Sequence, residues 1–378
     1  MINKILRGKI RAIPIVVALF IAVSAVLTGC AATEENGMKY LGSFLSSDVY
    51  LYLDENVSSA EFSSIKKKCE DKINEYEDAF SLSSFGALTA FNSAKGGQKT
   101  EVSPLCYNLF KRAVEISEET CGAFDPTVYP LVDLWGFSFR FDGEYRPTEP
   151  YDRERYSDGA LLLPDEKYVS AFRSLVGVDG VSLFFENGRY YLTKSDGVTV
   201  DGVTYERRAD LSSIAKGSLS DQLKAIIEDS SITRYYISLG TSSLYLGERS
   251  GGGWSVQFVD PKSPSRAAFG EAEIKKKSVS TSGVYEKNYV SEGVSVHHVL
   301  DGATGRSADT DLKSAVVIGD DGDRCDALST ALIVMGADGA KEFMENVFGY
   351  DYILVTDNDI FSTIELKNVV GGYAVHRL

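Results

Sequence analysis

Histidine is nearly absent from this 378-residue chain, occurring only at His297, His298 and His376. So few imidazoles leave little room for a histidine-rich zinc centre. Cysteine is scarce as well: there are five, none in a Cys-x-x-Cys pair, and their scattered spacing carries neither a metal nor a dithiol redox signature. Cys69, Cys106, Cys121 and Cys325 are therefore expected to be buried thiols. Positive charge is in deficit, 39 Lys and Arg against 54 Asp and Glu for a formal charge of −15, and no local basic patch offsets it, which excludes binding to nucleic acid phosphates. No GxxxxGK[ST] and no GxGxxG occurs, so neither a Walker loop nor a Rossmann-type dinucleotide site is supported, and no repeat of solenoid period is found. What the chain does have is apolar material: 44% of its residues are hydrophobic, with 21 Tyr and 19 Phe, enough for the core of one large or two coupled domains.

The N-terminus reads as an address. Lys4, Arg7, Lys9 and Arg11 precede an apolar run from Ala12 to Leu27, followed by Leu27-Thr28-Gly29-Cys30. The run is short for a spanning helix, and its small-residue exit is that of an export signal. Leu-Thr-Gly-Cys resembles the lipobox of bacterial lipoproteins, in which the cysteine is acylated and becomes the mature N-terminus. Residues 1–29 are thus expected to be a signal peptide, Cys30 the lipidation site, residues 30–39 a polar tether, and residues 40–378 the folded domain at a membrane's outer side. An uncleaved anchor with an incidental cysteine is the alternative. Removing residues 1–29 would take away four positive charges and no negative ones, deepening the acidic balance to −19.

Further along, Leu41 to Leu53 ends in a period-two pattern and predicts a first strand. Ser58 with Glu61 makes a capping box for a helix whose Phe62, Ile65, Cys69, Ile73, Tyr76 and Phe80 fall at three- and four-residue steps. Ser103-Pro104 opens a second helix that Gly122 closes. Residues 141–166, with three prolines, read as a surface excursion. Val181–Phe185, Tyr190–Thr193 and Val198–Val203 predict a hairpin series turning at Asn187-Gly188 and Asp196-Gly197. A helix from about Lys216 to Glu228 follows, then strands near Tyr235–Leu239, Ser243–Leu246, Trp254–Val259 and Ala315–Ile318, and a helix from about Asp326 to Met335. Helices and strands alternate without a regular βαβ period, so the expected fold class is α+β, with mixed or antiparallel sheets and packed helices.

Three segments could carry chemistry. Asp326 and Thr330 lie one helical turn apart, on a face opposite Leu328, Ala331, Leu332 and Met335, and offer hard oxygens suited to Mg²⁺, which takes few protein ligands. The same spacing also occurs in ordinary helix starts. His298, at a strand end before the Asp301-Gly302 turn, could act as a general base or simply be an exposed imidazole. Asp210 to Gly217 is a strand-to-helix passage whose free amides and Lys216 could face a phosphate.

Together with Gly122-Ala123-Phe124-Asp125-Pro126-Thr127-Val128-Tyr129-Pro130-Leu131-Val132-Asp133-Leu134-Trp135-Gly136-Phe137, these segments say more. That run closely resembles the signature of the FAD:protein FMN transferases, the ApbE family. Asp210 to Gly217, Thr281-Ser282-Gly283-Val284-Tyr285-Glu286-Lys287, His298 to Gly305, and Asp326 to Thr330 follow in the family's order. The resemblance covers nearly all of the chain beyond Tyr40, and an export signal with lipobox is common among such proteins.

The resemblance implies an enzyme that binds FAD and Mg²⁺, splits the pyrophosphate, joins FMN through a phosphoester to a Thr or Ser of an acceptor flavoprotein, and releases AMP. By the same resemblance Asp326 and Thr330 correspond to metal ligands, with a main-chain oxygen at Ser213 as a third. Leu41, Leu82, Ala123, Phe124, Asp125, Asp210, Lys216 and Leu300 fall on FAD-contacting positions, and His298 is the candidate for activating the acceptor hydroxyl. There are departures. The family commonly has Tyr or Trp where Leu82 stands, with Phe85 nearby here, and a polar residue near Ala87. Its glycines are replaced by Ser212 and Ser213, its Gly-Gly-Asn-like turn by Gly240-Thr241-Ser242, and its Asp-Pro by Asp301-Gly302. A non-catalytic flavin-binding lipoprotein, or a pyrophosphatase giving FMN and AMP, are the alternatives these departures raise. Asp301 to Gly305 also looks like the start of the acceptor motif Asp-Gly-x-Ser/Thr-Gly-Ala-Thr. The fit ends at Arg306, and the match is read as coincidence.

Overall fold

The computed structural model describes residues 37–82, 86–138, 156–157, 160–161 and 163–378. Cys30, Phe85 and most of the proline-bearing excursion lie outside them. In chain order the elements are β1 (Met38–Phe44), β2 (Ser47–Leu53), α1 (Ser59–Phe80), α2 (Ala87–Ser93), β3 (Thr100–Val102), α3 (Pro104–Glu119), α4 (Tyr129–Leu134), β4 (Tyr156–Ser157), β5 (Ala160–Leu161), α5 (Glu166–Arg173), β6 (Val181–Glu186), β7 (Arg189–Lys194), β8 (Val198–Val200) and β9 (Val203–Tyr205). Then come α6 (Ser212–Glu228), β10 (Tyr235–Leu239), β11 (Ser243–Leu246), β12 (Trp254–Val259), β13 (Ala268–Ile274), β14 (Lys277–Gly283), β15 (Asn288–Ser291), β16 (Val294–His297), β17 (Leu300–Asp301), β18 (Arg306–Ser307), β19 (Ser314–Gly319), α7 (Gly322–Met344), β20 (Asp351–Val355), β21 (Asp359–Ser362) and β22 (Ala374–Arg377).

Nine strands form one sheet in the order β1-β2-β10-β11-β14-β19-β20-β21-β22. Every neighbouring pair is antiparallel except β21 and β22. This is the expected α+β class. The interior strand β19 is buried along its whole length: Ala315 and Val317 join the helix-side core, Val316 and Ile318 the opposite one. Strand alternation thus feeds two apolar layers at once. Helices α1, α6 and α7 cover one face, while the β12–β13 hairpin covers the other. A smaller cluster around Trp135, Phe172 and Tyr205 gathers α4, α5 and the β8–β9 pair.

Local sequence explains most of the boundaries. Ser58 caps α1 by accepting from the Glu61 amide at 3.2 Å, and Ser103 caps α3 by accepting from Cys106 at 3.2 Å. Helix α7 runs well beyond the expected Met335, broken at Gly336, whose φ of 72° is not helical.

Three expectations need correction. The single strand over Leu41–Leu53 is a hairpin, β1–β2, folded at Leu45 and Ser46 with φ of 47° and 61°. The third strand of the expected series, Val198–Val203, does not continue from β7 but splits into its own hairpin, β8–β9, because Asp201 and Gly202 take positive φ. Among the cysteines, Cys69, Cys106 and Cys325 are buried, but Cys121 is exposed, since its φ of 51° lifts it off the end of α3 just ahead of Gly122.

Candidate active site

The five family-like segments converge on one cavity of about 410 Å³ beside the ends of β11 and β14. Main-chain and side-chain bonds tie them together. The Asp210 amide donates to the Pro126 carbonyl at 2.8 Å, linking the signature run to the start of α6. Trp135 Nε1 donates to the Gly305 carbonyl at 2.8 Å, fastening the signature to the loop after His298. The Thr281 amide donates to Ser242 at 2.8 Å, joining β14 to the β10–β11 turn.

Of the residues singled out from sequence, Ala123, Phe124, Asp125, Asp210, Ser213, Lys216, His298, Leu300, Asp326 and Thr330 all line this cavity. Leu41 and Leu82 are not among its walls. Leu41 is fully buried in the helix-side core, because the β1 register points it inward, and Leu82 packs against the same core. The wall on that side is the β1–β2 turn, Leu45, Ser46 and Ser47, which strand alternation gave no reason to single out.

Asp326 sits on the first turns of α7. Its Oδ2 accepts from the Gly217 amide at 3.0 Å and its Oδ1 from Ser243 Oγ at a long 3.4 Å. Burial pushes its carboxyl above the usual range, against the nearby Lys216 ammonium. A buried carboxylate with so little compensation is a place where a cation is favoured. The hydroxyl neighbours are oxygens too: Ser282 Oγ lies 2.8 Å from Ser329 Oγ and 3.1 Å from Thr330 Oγ1. Sequence reasoning gives Ser282 no role, although it lies within the family-like segment Thr281 to Lys287.

Ser213 follows from helix geometry. The Gly217 amide is the donor that a regular helix aims at the Ser213 carbonyl; here it donates to Asp326, and Ser213 itself lines the cavity. Among the described residues no group of three His, Cys, Asp or Glu could hold a metal. The donor set is therefore one carboxylate with hydroxyl and carbonyl oxygens, which fits a hard cation that keeps several waters or phosphate oxygens, as Mg²⁺ does.

The remaining polar walls are preorganised by short-range bonds. Asp210 Oδ1 accepts from the Ser212 amide at 2.8 Å, and Asp125 Oδ1 accepts from the Thr127 amide at 2.7 Å and its hydroxyl at 2.6 Å. Burial pushes both carboxyls up, opposed by these bonds. Lys216 Nζ donates to Ser242 Oγ at 2.5 Å. Glu286 and Lys287, at the end of the same family-like segment, also reach the cavity.

His298 is half-buried beside the mouth. Its Nδ1 is 3.3 Å from the Lys287 carbonyl, which can only accept, so Nδ1 carries the proton and Nε2 keeps its lone pair. Burial, more than the neighbouring Lys287, pushes the imidazole down to about 4.

A sequence model of the ApbE family matches residues 41–354. The chain belongs to the ApbE family. The FAD:protein FMN transferase of Escherichia coli (strain K12) is 28% identical over 278 residues, 73% of this chain and 72% of that protein. That of Haemophilus influenzae is 27% identical over 350 residues, 89% of this chain and 92% of its own. Among solved structures, the flavin transferase ApbE from Vibrio cholerae matches with a TM-score of 0.67 at 22% identity, covering 88% of this chain and 97% of that one. The ApbE protein from Thermotoga maritima gives 0.68 at 22% identity, with coverage of 88% and 97%. These likenesses establish that the fold is that of the ApbE family.

Proposed function

We propose that this protein is a Mg²⁺-dependent FAD:protein FMN transferase: it joins FMN from FAD through a phosphoester to a Thr or Ser hydroxyl of an acceptor flavoprotein and releases AMP. The observation that carries this reading is the convergence of Asp326, Thr330, Asp210 and His298 on one cavity, in a chain whose relatives bear that activity's name.

Asp326, Thr330 and the Ser213 carbonyl would hold the cation, with Ser282 bonded to Thr330 beside them. Bound there, Mg²⁺ would neutralise charge on the pyrophosphate. The chain's own work is then positioning. Lys216 adds a positive charge toward phosphate oxygens, and the Asp125 and Asp210 carboxylates can accept from donors on the dinucleotide. Ala123, Phe124 and Leu300 give it apolar walls. His298 Nε2 takes the proton from the acceptor hydroxyl as its oxygen attacks phosphorus, a general-base contribution of about 10²–10⁴-fold. Burial keeps the imidazole neutral with its Nε2 lone pair free at pH 7, while making it a weaker base than an ordinary histidine.

Incubating the mature protein with FAD, Mg²⁺ and an acceptor domain should give a fluorescent, FMN-bearing acceptor and AMP. Absence of both over a panel of acceptors overturns the reading. FMN and AMP released without labelled acceptor would instead make the protein a pyrophosphatase, and FAD retained intact in the presence of Mg²⁺ would make it a flavin-binding lipoprotein.

The order of Lys4 to Arg11, the apolar run and Leu27-Thr28-Gly29-Cys30 supports a lipid anchor. Residues 1–29 are removed, acylated Cys30 holds the tether, and the domain acts on the extracytoplasmic side of the cell membrane. Radiolabelled palmitate should enter the parent protein and not Cys30→Ala, which should be released from membranes. Equal labelling of both would overturn the anchor.

A further inference from the structure

The β15–β16 hairpin stands apart from the nine-stranded sheet as a two-stranded unit. Its turn residues Glu292 and Gly293 have φ of 51° and 80°, and Ser291 faces Val294 across them. A two-residue turn of this kind makes the flanking pair a bonded one. Bonded pairs then recur at Tyr289/Val296 and at Lys287/His298, where the His298 amide does donate to the Lys287 carbonyl at 3.1 Å. Between them, Asn288 and Val290 turn their N–H and C=O groups outward on β15, as Ser295 and His297 do on β16.

The two edges differ. On β16, Ser307 Oγ accepts from the His297 amide at 2.9 Å and donates to the His297 carbonyl at 2.7 Å. On β15, no hydrogen bond among the described residues reaches the outward main-chain groups of Asn288 or Val290, and the Val290 side chain is 71% exposed. This open edge is held firmly. Tyr289 donates from its hydroxyl to the Trp135 carbonyl at 3.0 Å, its ring lies 5.5 Å from Phe137, and Val296 is buried. Exposed, rigid, unpaired strand edges are templates for adding another strand. This one runs directly into Lys287, which lines the cavity together with His298.

We propose that the outer edge of β15 is the docking strand for the acceptor: an extended segment of the acceptor polypeptide pairs with the main-chain groups of Asn288 and Val290, adding a third strand to the hairpin. This rests on the transferase reading above. At about 3.3 Å per residue, Val290 is about 10 Å from Lys287 along the strand. A segment paired there brings a hydroxyl a few residues further on to the cavity mouth beside His298. The recognition is main-chain in character, so it tolerates varied side chains in the acceptor.

Val290→Pro tests this, since a proline at an outward-facing edge position removes the donor without breaking the hairpin's own ladder. The probe is a flavoprotein domain carrying Asp-Gly-x-Thr-Gly-Ala-Thr. The KM for that domain should rise at least tenfold while kcat and FAD affinity, read by flavin fluorescence quenching, stay at the parental values. A parental KM overturns the docking strand. Hydrogen exchange on the unaltered protein decides the case independently of any misfolding: the Asn288 and Val290 amides should slow when the domain is added in excess, and unchanged exchange overturns the proposal. Because exchange reads docking rather than chemistry, a chain that protects those amides yet transfers no FMN would sink the transferase reading alone.

Discussion

The amide nitrogen of Gly217 lies 3.0 Å from Oδ2 of Asp326, joining the opening turns of α6 and α7. That contact exists because the two helices cross at glycines: a Cβ on Gly217 would fall 2.0 Å from the Gly322 carbonyl oxygen. Gly217→Ala must therefore push the helices apart, at a cost of about 3 kcal/mol. It also withdraws the donor that orients Asp326. The expected outcome is a lowered unfolding midpoint and a weakened response of FAD turnover to Mg²⁺, measured by thermal melts and by Mg²⁺ titration. A variant with a parental melt and parental Mg²⁺ dependence would show that the crossing does not set the site.

Asp326→Asn separates charge from shape. Burial raises the native carboxyl's pKa above its unfolded value of 3.8. The native state thus holds its proton more tightly, and the stability associated with this group is lost as pH rises through the raised value. Without added metal, Asp326→Asn should be as stable as the parent or more so at pH 7, with the advantage shrinking toward pH 4. FAD cleavage with Mg²⁺ should nonetheless fall about a hundredfold or more. Denaturant melts at the two pH values and an AMP assay check both halves, and retained turnover would remove the metal assignment.

His298 gives a pH prediction with a defined direction. Its Nδ1 proton is committed to the Lys287 carbonyl, and burial pushes the imidazole down to about 4. An imidazole at the ordinary value of about 6.5 loses its free lone pair tenfold per unit below that pH. Here kcat/KM for the acceptor should stay level from pH 7 to about 5, and transfer by His298→Ala should fall by about 10²–10⁴-fold. An acid limb centred near 6.5 would mean that the buried setting of the ring is not the one that operates in turnover.

Sequence legibility followed the strength of local signals. Helices α1 and α3 were readable because Ser58 and Ser103 are true caps and their apolar residues keep helical period. Strand β19 was readable because Ala315-Val316-Val317-Ile318 is a continuous apolar run, as a strand buried on both faces requires. Short or interrupted elements were not: β15 and β16 span only four residues each, and Gly270 and a register irregularity break the alternation of β13. At the site, ten of the twelve named cavity residues converge because they lie inside family-like segments. Leu41 is not among the cavity walls, since its place in β1 points its side chain into the helix-side core. At the β1–β2 turn, Ser46-Ser47-Asp48 is a weak turn signal without Gly, Pro or Asn. Leu45 and Ser46 are poor formers of left-handed backbone, so composition could not reveal a turn that tertiary contacts impose.

That same turn yields a stability prediction. Ser46 adopts φ of 61° in a two-residue hairpin turn, a conformation that costs an L-residue about 1 kcal/mol and glycine almost nothing. The turn is held in place from outside, by Glu77 Oε2 accepting from the Leu45 amide at 2.9 Å. Ser46→Gly relieves the backbone but enlarges the freedom of the unfolded chain, so the net gain is below about 1 kcal/mol. Glu77→Ala should do the opposite, leaving the Leu45 amide without its acceptor and lowering stability by about 1–2 kcal/mol. Because Leu45 and Ser46 wall the cavity, loss of the Glu77 brace should also weaken FAD binding, whereas Ser46→Gly should leave it near the parental value. Paired denaturant melts and fluorescence titrations check the two variants, and a Glu77→Ala protein with parental stability would show that the turn stands without its brace.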